Sequence, residues 1–116
     1  MIIAKFRSPE EYYYKEQSEK VDVYSMGNIF YVLLTKEWPF DDMKDKAAQH
    51  EVKHGRPPPI SASIRNSTDP YTQALIKAAE MSWVYNPKER PSAREVESFL
   101  SQSLQSISKT NVKPLI

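Results

Sequence analysis

The chain has 116 residues, 40% of them hydrophobic and 27% charged, the size and make-up of one small globular domain. Sixteen Lys and Arg against fifteen Asp and Glu leave a formal charge of +1, so neither nucleic acid nor a membrane surface is indicated as a partner. Without cysteine there are no disulfides, thiol nucleophiles or thiolate metal sites. The longest strictly apolar run, "IFYVLL" at 29–34, is far short of a membrane span, and "MIIAKFRSPEEYYYKE" lacks the apolar core of a signal peptide. The chain therefore reads as intracellular and cytoplasmic.

Two glycines and nine prolines describe a helical chain with stiff connectors. "SPEEYYYKEQ" opens with Ser8 as a cap, Pro9 at the first helical position and two acids in the first turn, which predicts a short helix. The second element, "KVDVYSMGNIFYVLLTKEWPF" at 20–40, is capped by Ser18 and broken at Pro39. It is apolar almost all round, the pattern of a buried central helix. Asp42 to Gly55 reads as an exposed helix with a thin stripe of Met43, Ala47, Ala48 and Val52. "RPPPISASIRNSTD" reads as an irregular, extended connector. Asp69 and Pro70 start the next helix, whose stripe is Tyr71, Leu75, Ile76, Ala79 and Trp83 or Met81. Ser92 with Glu95 three residues on is a capping box for the last helix, with Val96, Phe99, Leu100, Leu104 and Ile107 as its stripe. Period-2 alternation and internal repeats are both missing, so the fold class is all-α. The domain spans 1–104, with 105–116 as a flexible tail.

"HEVKH" at 50–54 is a formal match to the zinc-protease pattern H-E-x-x-H, with His50 and His54 on one helical face. A third ligand has no obvious source, and the flanking residues are polar where a protease helix is half buried. The two histidines read as surface residues, with no metal site and no catalytic residue assigned.

A stronger signal comes from four pieces in order: "RSPEEY" at 7–12, "DVYSMG" running into "LLTKEWPF" at 22–40, "GRPPPI" at 55–60 and "WVYNPKERPSAREV" at 83–96. Together they resemble the C-terminal half of the eukaryotic protein kinase domain, over about Phe6 to Leu100. The resemblance equates "SPE" at 8–10 with the A-P-E that closes the activation segment. It makes Asp22 the carboxylate at the head of the central helix that anchors the catalytic loop. Arg90 becomes the late arginine that pairs with the A-P-E glutamate, here Glu10. Phe6 and Arg7 fall in the loop that faces the substrate. Gly27, mid-helix, implies a neighbouring helix packed close, since glycine there costs about 1 kcal/mol against alanine. Trp83 and Trp38 read as packing residues. Two positions depart from the family: Val32 stands where a glutamate is usual, and Lys36 where a glycine is common and a left-handed cap is needed.

The Gly-rich loop, the strand lysine, H-R-D and D-F-G precede A-P-E in that family, and none of them occurs in this chain. The resemblance thus implies a C-lobe fragment of a kinase acting on Ser/Thr, or on Tyr, with the chain itself inactive and without a cofactor. ATP and Mg2+ belong to the full parent. The alternatives are a short binding module and a pseudokinase-type scaffold. The partners implied are a protein substrate or regulator, at the substrate groove and at the 43–54 helix.

Overall fold

The computed structural model describes residues 7–13 and 18–111, and every regular element among them is helical. In chain order these are α1 (Pro9–Tyr12), α2 (Lys20–Thr35), α3 (Asp45–Lys53), α4 (Ala62–Arg65), α5 (Pro70–Ser82) and α6 (Ala93–Asn111).

The caps behave as local chemistry requires. The Glu11 carboxylate accepts from both the backbone N–H and the hydroxyl of Ser8, which holds the single turn of α1. Asp69 accepts from the N–H groups of Tyr71 and Thr72 at the start of α5. At α6 the box is reciprocal, with Ser92 N–H on Glu95 and Glu95 N–H on Ser92 Oγ, both at 3.1 Å. Helix α2 ends at Lys36, which takes the left-handed conformation at φ 63° and donates its N–H to the Val32 carbonyl. The left-handed cap is therefore built on a lysine, at the steric cost that glycine would avoid.

Helix α2 lies at the centre and packs chiefly on α5, with α6 behind α5. Its apolar surface divides in two. Val23, Tyr24, Gly27, Asn28 and Tyr31 face inward. Ile29 and Leu33 face outward at 52% exposure each, with Met26 half-buried beside them. The approach of α5 is close because its inner face is Ala74, Ala78, Ala79 and Ser82. One cluster joins Tyr12, Tyr24, Tyr31, Phe40, Val52, Ile76 and Trp83; a second, around Val23, Ala78 and Val96, ties in α6.

The structure adds detail to the sequence reading in two places. The connector after Pro59 holds the one-turn helix α4, whose Arg65 reaches Glu80 of α5 at 3.2 Å. Isolated turns of this length carry no periodicity, so pattern alone misses them. Residues 105–111, expected as a flexible tail, continue α6, because no proline intervenes before Pro114 and half-buried Ile107 extends the stripe. The remainder of that segment, 112–116, lies outside the described residues.

Candidate functional site

Eighty positions apart in the chain, Glu10 and Arg90 meet in the interior. Arg90 Nη1 donates to Glu10 Oε2 at 2.8 Å and Nη2 to Oε1 at 3.0 Å, a two-pronged contact in which the side chains are 4% and 0% exposed. The other three N–H groups of the guanidinium go to carbonyls: Nε to Val84 at 2.7 Å, Nη1 to Lys20 at 2.7 Å and Nη2 to Tyr85 at 3.0 Å. All five donors are thus used, which is what a buried cation requires. The guanidinium also lies over the Tyr24 ring, 5.0 Å from its centroid. Burial pushes the Tyr24 phenol far above its ordinary value, so it stays neutral.

Three separate stretches therefore converge on one side chain. Glu10 comes from α1, Lys20 from the start of α2, and Val84 and Tyr85 from the loop between α5 and α6. Lys20 adds a return tie, its ammonium donating to the carbonyls of Pro87 and Arg90. No sequence pattern signals this role for Lys20, since a lysine at a helix start looks like solvated surface.

At Gly27 the end of α5 presses directly on α2. A Cβ there would stand 2.7 Å from Cδ1 and Nε1 of Trp83 and 3.0 Å from Ser82 Cβ. Trp83 in turn donates its indole N–H to Asn28 Oδ1 at 3.0 Å, with both residues buried. Asn28 is a second residue that sequence reasoning missed. The available signal was a lone amide beside Gly27 in an otherwise apolar run.

Asp22 is exposed, and its carboxylate makes no hydrogen bond among the described residues. At 100° per residue, Asp22, Met26, Ile29 and Leu33 fall on one stripe of α2. The carboxylate therefore heads an outward apolar face. Arg7 is also exposed, while Phe6 lies outside the described residues. Trp38 is exposed too, and Val32 is half-buried.

The H-E-x-x-H match does not assemble a protease centre. Glu51 is engaged by Arg56, whose Nε is 2.8 Å and Nη2 2.6 Å from Oε2. That hydrogen bond is the main reason the Glu51 carboxyl sits below its ordinary range. Among the described residues no three His, Cys, Asp or Glu side chains are grouped to hold a metal. No helix among them is long and apolar enough to cross a membrane.

The family model for the protein kinase domain matches residues 2–100. The chain belongs to the protein kinase domain family. A probable serine/threonine-protein kinase of Dictyostelium discoideum is 33% identical over 96 residues, covering 83% of this chain and 10% of that protein. The seven transmembrane domain-containing tyrosine-protein kinase 1 of the same organism is 31% identical, over 95% of the chain and 15% of its own length. Human mitogen-activated protein kinase kinase kinase 7 is 28% identical, over 88% and 16%. In fold, the twitchin kinase region of C. elegans superposes with a TM-score of 0.68 at 16% identity, covering 94% of this chain and 22% of that one. The chain thus spans only about a tenth to a fifth of these kinases, and its helical architecture is that of part of a kinase fold.

Proposed function

We propose that this chain is the helical platform of a protein kinase C-lobe, and that it does not transfer phosphate by itself. In the parent, which moves the γ-phosphate of ATP to a protein hydroxyl with Mg2+, its work is mechanical. Glu10 and Arg90 fasten the end of the activation segment to the last helices. Asp22 offers acceptor oxygens to backbone N–H groups of a catalytic loop supplied by the rest of the domain. Arg7 and Phe6 line the approach of the protein substrate, and α3 offers a docking edge for substrates or regulators. The parent's place is intracellular, where ATP is available. Serine or threonine is the favoured acceptor, in keeping with "DVYSMG" and "WPF"; among the relatives one is named a serine/threonine-protein kinase and another a tyrosine-protein kinase.

The observation that carries this proposal is the outward face of α2. A carboxylate that makes no hydrogen bond among the described residues heads a stripe with Ile29 and Leu33 each 52% exposed, on the helix that forms the centre of the fold. A central helix that leaves such a stripe in water is shaped to receive another part of a domain. The test is incubation of the chain with labelled ATP, Mg2+ and a generic protein substrate. The expected result is no incorporated label and no ATP binding. Turnover that copurifies with the chain and is lost in an Asp22→Asn variant would overturn the proposal. A binding module without catalysis is the competing reading, and it would be supported if the chain proves monomeric and stable despite its open face.

A further inference from the structure

We propose that His50 and His54 form a two-imidazole site for Cu2+ on the exposed side of α3. Both rings are exposed, one helical turn apart, with centroids separated by 4.1 Å. Two imidazoles bound at about 2.0–2.1 Å from one ion, at a right angle, would place their centroids about 4.5 Å apart. The observed separation is close to that value, with the two ring planes tilted by 35°. The Nδ1 of His54 lies 2.7 Å from the backbone carbonyl of His50. As donor it fixes the proton on Nδ1 and leaves Nε2 as the nitrogen that carries the lone pair, the same backbone tie that orients histidine ligands in metal sites.

The surroundings select the ion. Glu51 lies between the histidines in sequence but is committed to Arg56, so it supplies neither a ligand nor a base. With two protein nitrogens and no third ligand grouped among the described residues, the other positions are left to water. Such an open N,O set suits tetragonal Cu2+, which also heads the Irving–Williams order, better than tetrahedral Zn2+. Lys46 and Lys53 share the hollow beside His50 and oppose a cation. The Lys53 ammonium, however, is drawn over the Tyr13 ring, 5.0 Å from its centroid.

The experiment is titration of the full 116-residue chain with CuCl2 and, separately, ZnCl2 in a non-coordinating buffer, followed by calorimetry and electron paramagnetic resonance. One Cu2+ per chain with two-nitrogen coupling is expected, bound more tightly than Zn2+. His50→Ala and His54→Ala should each weaken it by at least about tenfold. Glu51→Gln should leave it unchanged, because that carboxylate is committed to Arg56. Alanine is a better helix former than histidine on an exposed face, so the variants keep their helix, checked by circular dichroism. Undiminished copper binding in either histidine variant, or no binding by the wild-type chain, would overturn the proposal.

Discussion

Replacing Arg90 by Lys keeps the charge and removes the fork. The guanidinium serves four groups at once: the Glu10 carboxylate through two oxygens, and the carbonyls of Lys20, Val84 and Tyr85, all within 2.7–3.0 Å. A lysine ammonium has three donors on one atom and does not span that set, so Arg→Lys at such a site is not conservative. Breaking a buried pair from one side costs about 3–5 kcal/mol, because the remaining charge stays buried without compensation. For Arg90→Lys and for Glu10→Gln we expect about 3 kcal/mol each, a large part of the roughly 5–15 kcal/mol available to a domain. In urea, with a slope of about 1–3 kcal/mol per molar, that moves the midpoint down by about 1–3 M. The double variant should cost less than the sum by about 1–3 kcal/mol, since both changes break the same pair. The assay is equilibrium unfolding at low protein concentration, in low and in high salt. Losses that persist in high salt distinguish a buried pair from a screened surface one. Single variants within 1 kcal/mol of wild type, or strictly additive effects, would refute the reasoning.

Further outcomes follow from other contacts. Gly27→Ala should destabilise the chain by about 1–3 kcal/mol despite its helix propensity, because the new Cβ would meet Trp83 at 2.7 Å; a thermal melt reads the sign. Lys36→Gly should stabilise it by about 1 kcal/mol by relieving a left-handed lysine at φ 63°, again read in a melt. Hydrogen bonds from the Ser92 backbone and side chain hold the Glu95 carboxyl below its ordinary range. The folded form therefore binds this proton less readily than the unfolded form. The stabilisation is present above the unfolded carboxylate range and is lost as pH falls through the depressed folded value. Fraying of the start of α6, followed by amide hydrogen exchange, should set in there and be pH-independent in Glu95→Gln. Ile29→Lys with Leu33→Glu should reduce self-association in sedimentation, because the change removes the exposed apolar stripe of α2.

The helices were largely legible because their ends carry distinct chemistry: Ser8–Pro9, Asp69–Pro70 and Ser92 with Glu95 are local signals that survive in any tertiary setting. Turn α4 was not, since four residues show no period. The buried meeting of Glu10 and Arg90 was visible only through the family resemblance, because in composition both are surface charges. Lys20 showed no usable pattern and Asn28 only a lone amide in an apolar run, as their partners are carbonyls and an indole brought in by packing. The two-sided character of α2 was hidden for the same reason. An all-round apolar sequence says that every face wants cover, and only the fold shows that the Ile29 and Leu33 face is left open within this chain.

The central claim is that this chain is one part of a larger kinase domain. It is tested most directly by the intact mass of the endogenous protein that carries these residues, measured after immunoprecipitation. The account predicts a species well above the 13.4 kDa of the chain, with the catalytic loop and nucleotide lobe encoded in the additional mass. A single species at 13.4 kDa would contradict it and leave a free-standing helical module.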